Sequence, residues 1–274
     1  MAAPVIPPRK RFGQHFLHDP AVISRIIDAV GLRPGDAAVE IGPGRGALTG
    51  ALLQGAAELD AIEIDRDLAA SLRERFAGHP GFRLHVADAL GIDWQVLGRQ
   101  RGKPLRIIGN LPYNIATALL FRLLASIEVL RDMHFMLQRE VADRILAAPG
   151  TQAYGRLGVM LAPHFTAERV LDVGAGAFQP PPRVTSSVVR LTVRDAPPPP
   201  PLYGRIVSAA FAQRRKTLRN ALREHLSAEQ IAAVGLDPGV RAERLTPADF
   251  AALARAARPP ADAALAPEPD AVIH

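Results

Sequence analysis

The chain has 274 residues, of which 48% are hydrophobic and 22% charged, and it contains no cysteine. These values predict a folded protein of one or two domains, and they exclude disulfide scaffolds, iron–sulfur clusters, thiol catalysis and cysteine-ligated zinc. The net charge is +6, although Asp262, Glu268 and Asp270 make the tail acidic, so the rest of the chain is more basic still. Such a charge favours a polyanionic partner such as nucleic acid. The alternative is an ordinary solvated basic surface.

The first half of the chain alternates between strand and helix patterns. After a basic arm at residues 9–11, Asp19 and Pro20 predict a helix start and Gly31 predicts its end. Apolar runs then predict five strands separated by helical patterns, at residues 37–41, 59–64, 82–86, 105–108 and 133–137. This alternation predicts an α/β fold, in which a parallel sheet carries helices on both faces.

The pattern changes in the second half. Residues 170–173 and 187–193 predict two strands without a long helix between them, which could pair antiparallel at the sheet edge. The proline run at 197–201 predicts a stiff linker, and residues 203–226 predict one long amphipathic helix. The expected domains are therefore an α/β domain over residues 1–196, a linker over 197–202, a helical domain over 203–258 and a disordered tail over 259–274.

A glycine-rich turn with Gly42 and Gly44 follows the first of the five strands. Glycine allows a tight turn and lets a ligand approach the backbone closely. Glu63 ends the next strand about 20 residues on, where an acidic residue holds ribose hydroxyls in nucleotide-binding folds. Asp88 follows the third strand, and strand carboxyl ends line the ligand crevice of an open sheet. These residues predict a nucleotide-containing cofactor, against the alternative of a tight turn without a ligand.

Two residues favour S-adenosylmethionine over NAD. Glu40 places a negative charge just before the glycine turn, which disfavours a pyrophosphate and suits a cationic ligand. Pro43 stiffens the turn. The dinucleotide alternative stays open at this point, because Gly42, Gly44 and Ala47 also fit the looser fingerprint of dinucleotide-binding loops.

The tetrapeptide Asn110, Leu111, Pro112 and Tyr113 follows the fourth strand. The lone pair of an adenine N6 is delocalised into the ring, so the amine is a poor nucleophile. An amide oxygen of Asn110 and the carbonyl of Leu111 could accept its two N–H groups and favour the charge that develops during methyl transfer. Pro112 fixes the chain direction, and Tyr113 offers a flat face for the base. The alternative is an asparagine that caps a helix beside a core tyrosine.

At this point the sequence resembles the bacterial small-subunit (16S) rRNA adenine dimethyltransferases, the kasugamycin-sensitivity methyltransferase family. The stretches that carry the resemblance cover most of the chain up to about residue 226. They are RKRFGQHFL (9–17), VEIGPGRG (39–46), AIEID (61–65), DAL (88–90), GNLPYNIAT (109–117), QREVA (138–142), FQPPPR (178–183) and AFAQRRKTLRN (210–220).

The resemblance implies a Rossmann-like, S-adenosylmethionine-dependent methyltransferase domain with a small helical C-terminal domain. It implies four methyl transfers to N6 of two adjacent adenosines near the 3′ end of small-subunit rRNA. His15 and Leu17 would close over the cofactor, although many members have Asn at the place of His15. Asp88 would contact the cofactor adenine, and Tyr113 and Phe178 would sandwich the flipped base. Packing of Phe178 at the sheet edge is the alternative.

The remaining expectations concern metals and partners. His15 and His18 lack a third ligand cluster, so no metal is expected. A basic cluster beside the apolar stripe of the long helix is expected to contact RNA phosphates rather than form a merely solvated face, and it comprises Arg214, Arg215, Lys216, Arg219 and Arg223.

We expect a cytoplasmic monomer that acts on small-subunit rRNA within a pre-30S ribosomal particle. No membrane partner is expected, because no apolar run approaches the ~18 residues that span a bilayer and the first nine residues hold no apolar stretch long enough for a secretion signal. Three other functions stay open: a ribosome-assembly factor whose catalysis is secondary, a large-subunit rRNA adenine methyltransferase, and an NAD-linked dehydrogenase. The last lacks an evident catalytic His or Lys constellation.

Overall fold

The computed structural model describes residues 6–9, 13–56, 58–112 and 115–257. Its residues group into two compact units. Within the described ranges, the first unit extends to residue 142 and includes 166–193, and the second comprises 143–165 and the chain from 194 onwards. Lys10 and Arg11 of the expected basic arm, and the expected tail over 259–274, lie outside the described residues.

The strands of the described chain alternate with helices up to β6. They are β1 (Phe16–Leu17), β2 (Ala37–Ile41), β3 (Glu58–Glu63), β4 (Phe82–Val86), β5 (Leu105–Asn110), β6 (Leu130–Gln138), β7 (Phe165–Val173), β8 (Phe178–Gln179) and β9 (Ser186–Val193). A seven-stranded sheet has the order β4-β3-β2-β5-β6-β9-β7, and β1 pairs with β8 in a separate antiparallel sheet.

The large sheet is parallel from β4 through β6, and β9 then runs antiparallel to β6. The predicted α/β fold with a parallel sheet is confirmed. The two strands predicted near the edge, β7 and β9, are neighbours there. The pairing of β1 with β8 was not predicted, because strands of two residues leave no periodic pattern in a sequence.

The helices flank this sheet and form the second unit. They are α1 (Pro20–Val30), α2 (Thr49–Gly55), α3 (Arg66–Arg75), α4 (Trp94–Arg101), α5 (Ala116–Leu124), α6 (Arg139–Leu146), α7 (Arg156–Leu161), α8 (Tyr203–Ala212), α9 (Leu218–Ala221), α10 (Ala228–Ala233) and α11 (Pro247–Ala256). No helix in these described ranges combines the length and the apolar character that crossing a bilayer requires.

The predicted boundaries of α1 are confirmed. Asp19 is its N-cap and accepts hydrogen bonds from the backbone N–H groups of Ala21 and Val22, which satisfies donors that have no partner within the helix. Gly31 ends the helix with a φ of 54°, a left-handed conformation that glycine adopts without a steric penalty.

The core of the first unit lies between the sheet and its helices. All five residues of β2 are buried, which explains why four of them are apolar; the exception is Glu40. Leu52 of α2, Leu59 of β3 and Ile108 of β5 belong to one apolar cluster on one side of the sheet. The carboxyl ends of the parallel strands are thereby held in register.

The second unit includes residues 143–165, which the sequence analysis assigned to the α/β domain. Their side chains pack into the core of the second unit: the Tyr154 hydroxyl donates to the Leu245 carbonyl at 2.6 Å, and the Tyr203 hydroxyl donates to the Val159 carbonyl at 2.8 Å. The sequence could not reveal this grouping, because no linker signal separates residues 143–165 from β6.

The prediction of a single helix over residues 203–226 is wrong. α8 ends at Ala212, and a turn leads to the four-residue helix α9. The backbone N–H of Leu218 donates to the Val240 carbonyl at 2.8 Å, so it is not bonded to the carbonyl four residues earlier. The apolar residues of this predicted helix nevertheless pack into one core, in which Leu218, Leu222 and Leu226 are buried and Phe211 is partly buried.

Candidate active site

A cavity of about 260 Å³ lies at the carboxyl ends of β2, β3, β4 and β5. The structure brings together there most of the predicted site residues. Those that line the cavity are His15, Leu17, Gly42, Gly44, Glu63, Asp88, Asn110, Leu111 and Pro112. Their convergence follows from the topology, because parallel strands end at the same edge of a sheet.

The glycine turn is held against the acidic end of β3. Gly44 has a φ of 59°, and its N–H donates to Glu63 Oε2 at 3.0 Å. A Cβ atom at this position would lie 3.1 Å from Cδ1 of Phe16, which is tighter than ordinary packing. Glycine is therefore required here both by the backbone conformation and by the close approach of the N-terminal segment.

Glu63 is a buried carboxylate whose orientation the backbone fixes. Its Oε2 accepts from Gly44 N–H, and its Oε1 accepts from Asp65 N–H at 2.9 Å. Burial raises the pKa of Glu63, and these two N–H groups oppose the rise. The carboxylate lines the cavity and retains acceptor capacity there, since each oxygen has two lone pairs.

Glu40 lies deeper in the cavity wall, with only 2% of its surface exposed. The Thr49 hydroxyl donates to its Oε2 at 2.7 Å. Burial raises the pKa of Glu40 to about 7, and the nearby charge of Glu63 adds to the rise. A cation in the cavity would favour the charged forms of both carboxyls, so this pair of acids suits a positively charged ligand.

Asp88 and Ile64 occupy the part of the cavity next to β4. Asp88 caps a short 3-10 helix by accepting from Leu90 N–H at 2.9 Å. Ile64 lies directly after Glu63 and is 43% exposed, so it presents an apolar surface beside two acids. Ile64 was not predicted as a site residue, because in the sequence it marks only the end of a strand.

The N-terminal segment forms another wall of the cavity. Arg9 pairs with Asp65 at 2.9 Å, and the Arg45 guanidinium donates to the Ile6 carbonyl at 2.8 Å and lies 4.4 Å from the ring centroid of Phe16. These contacts tie the segment to the glycine turn and to the loop after β3. The charge of Arg9, which the sequence assigned to a basic arm, is used within the protein.

The Asn110 amide has a defined orientation. Its Nδ2 donates to the His15 carbonyl at 3.0 Å, and the His15 ring nitrogen Nδ1 lies 2.8 Å from the Pro180 carbonyl. Oδ1 of Asn110 accepts no hydrogen bond from any residue that the structure describes. The alternative role of Asn110 as a helix cap is wrong, since α5 has Ile115 as its N-cap.

Of the two aromatic residues predicted to hold a base, Phe178 is not among the described residues that line the cavity. Tyr113 lies outside the described residues. Phe178 is 3% exposed, pairs with Leu17 through β1 and β8, and belongs to the apolar core cluster of the first unit. Its position fits the packing alternative, because the short sheet turns its side chain into the core. Base stacking by these residues stays a prediction.

Within the predicted basic cluster, Arg214 has partners in the protein and the other four residues have no ion-pair partner among the described residues. Arg214 donates to the carbonyls of Gln152 at 2.8 Å and Tyr154 at 3.0 Å, and its Nε lies 3.6 Å from Glu243. Arg214 therefore stabilises the second unit. The other members are exposed and form no ion pair with a described residue; they are Arg215, Lys216, Arg219 and Arg223. Arg215 and Lys216 lie between α8 and α9, Arg219 lies in α9, and Arg223 lies in the turn after α9, so they do not share one helix face.

The sheet order, the glycine turn and the acidic strand ends define a Rossmann-like methyltransferase. A family model described as ribosomal RNA adenine dimethylase matches residues 7–258. The chain belongs to this family, which confirms the expected enzyme class, an rRNA adenine dimethyltransferase that uses S-adenosylmethionine as cofactor.

Known proteins with similar sequences agree with this assignment. Two curated relatives are called ribosomal RNA small subunit methyltransferase A. The protein from Methylococcus capsulatus is 51% identical, covering 92% of this chain and 98% of its own; that from Alcanivorax borkumensis is 50% identical, covering 93% and 91%.

Two solved structures share the fold. A dimethyladenosine transferase from Plasmodium falciparum has a TM-score of 0.75 at 23% identity and covers 87% of this chain and 96% of its own. The 23S rRNA methyltransferase ErmE has a TM-score of 0.70 at 29% identity and covers 88% and 98%.

Proposed function

We propose that the chain transfers methyl groups from S-adenosylmethionine to N6 of two adjacent adenosines in the 3′-terminal hairpin loop of small-subunit rRNA. The observation that carries this proposal is the amide of Asn110, held with its donor end on the His15 carbonyl at the wall of the cavity. The names of the relatives at about 50% identity favour the small subunit, whereas ErmE, a large-subunit enzyme, is more distant.

The cavity suits the proposed cofactor. Its buried carboxyls, Glu40 and Glu63, complement a ligand that carries a sulfonium and an ammonium group. Glu63 would accept from the ribose hydroxyls, Asp88 would accept from the adenine amine, and Ile64 would pack on the adenine ring. The Gly42 and Gly44 backbone would lie under the amino-acid part. When bound, S-adenosylmethionine supplies a methyl group already activated for attack.

The polar groups at the end of β5 would orient the target amine. Asn110 Oδ1 and the Leu111 carbonyl would each accept one N–H of adenine N6, which draws the nitrogen towards a tetrahedral shape and makes its lone pair available. The Leu111 N–H donates to the Met136 carbonyl at 3.2 Å, so β6 fixes the backbone that presents these acceptors. After the first methylation one N–H remains, and a single acceptor still orients the second attack.

The basic cluster would contact RNA. Arg215, Lys216, Arg219 and Arg223 are exposed and unpaired within the described chain, so their charges are available to phosphates. Arg214 is assigned instead to stabilising the second unit, because it donates to two backbone carbonyls there. The first unit would accordingly hold the cofactor and the second unit would bind rRNA. We further propose that the chain acts as a cytoplasmic monomer on a pre-30S ribosomal particle.

Methylation of purified ribosomal subunits tests the proposal. Small subunits from a strain that lacks this chain should accept about four methyl groups per particle from labelled S-adenosylmethionine, and large subunits should accept none. Labelling of the large subunit alone would contradict it and support the other rRNA substrate. If an inactive Asn110→Ala chain restores subunit assembly in the deletion strain, the main role is that of an assembly factor.

A further inference from the structure

The segment of residues 180–183 is a stiff connection whose ends are tied to the sheet. It consists of three prolines, which have a fixed φ, followed by Arg183. The Pro180 carbonyl lies 2.8 Å from Nδ1 of His15. On the other side, the Thr185 carbonyl accepts from Arg139 N–H at 2.9 Å. Both anchors restrict where the backbone of Arg183 can lie.

These anchors place Arg183 at the edge of the sheet that carries Asn110. Asn110 is paired with Met136 of β6 in the parallel register, and Gln138, two residues further, is paired with Ser186 of β9. Two residues of a strand span about 7 Å. The chain therefore enters β9 from residue 183 close to the level at which β5 ends.

The charge of Arg183 is not used within the described protein. Its side chain is exposed and forms no ion pair with a described residue. Nearby arginines differ: Arg190 pairs with Glu168, Arg169 pairs with Asp172 at 2.9 Å, and Asp172 also feels the charge of Arg139. Val184, directly after Arg183, is 45% exposed.

An exposed arginine on a restricted backbone, beside an exposed apolar side chain, matches the surface of a nucleic acid strand, which alternates phosphates with sugars and bases. We propose that Arg183 binds a phosphate of the RNA next to the target adenosine, and that Val184 packs against the adjoining sugar. A guanidinium can hold a phosphate through two parallel hydrogen bonds. Arg183 would thus be a positioning residue, separate from the basic cluster of the second unit. This inference rests on the proposed function.

The test compares Arg183→Ala and Arg183→Lys with Arg99→Ala. Arg99 is an equally exposed arginine in the last turn of α4, before the chain re-enters the sheet at Leu105, so it lies at the opposite edge. RNA binding is measured at several salt concentrations without cofactor. Methyl transfer is then measured on small subunits.

Arg183→Ala should raise KM for the subunit on the order of tenfold, the equivalent of one lost charged hydrogen bond, with kcat within about twofold. It should lower the slope of log K against log salt by about 0.7–0.9. Arg183→Lys should recover part of both, and Arg99→Ala should resemble the parent.

Two results would overturn the inference. The first is that Arg183→Ala and Arg99→Ala have equal salt slopes and equal KM values. The second is that Arg183→Ala loses kcat and cofactor affinity at unchanged KM, which would indicate a structural role. Because RNA binding is measured without turnover, it reports on Arg183 even if the parent protein methylates a different RNA. Absence of methylation by the parent would instead count against the proposed function.

Discussion

Replacing Glu40 by glutamine should stabilise the cofactor-free protein in a pH-dependent way. The pKa of Glu40 rises from an ordinary 4.5 to about 7 through burial, which corresponds to roughly 3 kcal/mol at 1.36 kcal/mol per unit. The folded protein favours the protonated carboxyl, so this stability is fully present below pH 4.5 and is lost as the pH rises through 7. Glutamine is neutral at every pH and can still accept from the Thr49 hydroxyl.

Urea unfolding at pH 4.5 and pH 8 measures this effect. Glu40→Gln should match the parent at pH 4.5 and exceed its free energy of unfolding by about 3 kcal/mol at pH 8. Glu74→Gln, which changes an exposed carboxyl of α3, should show no such difference and is the control. An equal gain at both pH values, or none at pH 8, would refute the conclusion that burying the charge is costly.

The same substitution should have the opposite effect on the cofactor. A cationic ligand favours the charged carboxyl, so calorimetry should show S-adenosylmethionine binding more tightly to the parent as the pH rises through 7. Binding to Glu40→Gln should be weaker and should not change over this range. Equal affinity of the parent and the variant at pH 8 would show that Glu40 does not face the positive charge.

Three further predictions concern stability and RNA binding. Burial lowers the pKa of His134 to about 4, so protonation of this residue costs the folded protein on the order of 3 kcal/mol as the pH falls from 6.5 through 4. In urea titrations the free energy of unfolding of the parent should fall by this amount relative to that of His134→Met, and a difference that does not change with pH would contradict it. Arg106→Met should leave the buried Asp132 without its arginine partner and lower the free energy of unfolding in urea by about 3–5 kcal/mol. A decrease below about 1 kcal/mol would mean that water solvates Asp132 in place of the arginine. Arg219→Ala should weaken RNA binding and lower the slope of log K against log salt by about 0.7–0.9. Arg214→Ala should mainly lower the melting temperature of the protein. The reverse pattern would contradict both assigned roles.

Local signals explain what the sequence predicted well. The caps of α1 and the buried run of β2 depend on residues that are adjacent in the chain, so both elements were predicted at their observed bounds. The cavity residues were predicted because parallel strands bring their ends together once their order is known. Gly42, Glu63, Asp88 and Asn110 needed no other information.

Long-range contacts explain what the sequence did not predict. The chain between α8 and α9 is bonded to a distant segment, since the Val240 carbonyl accepts from the N–H of Leu218, and no neighbouring residue signals this break. The buried position of Phe178 depends on pairing between β8 and β1, more than 150 residues apart. Arg9 and Arg214 were both assigned to basic surfaces, but each has partners far along the chain.

In the proposed reaction, the oriented amide of Asn110 drives dimethylation of adenosine in small-subunit rRNA. Mass spectrometry can test this on the 3′-terminal rRNA fragment from a deletion strain that expresses either the parent or Asn110→Ala. We expect two adjacent N6-dimethyladenosines with the parent and almost none with the folded variant. Full dimethylation with Asn110→Ala would contradict it.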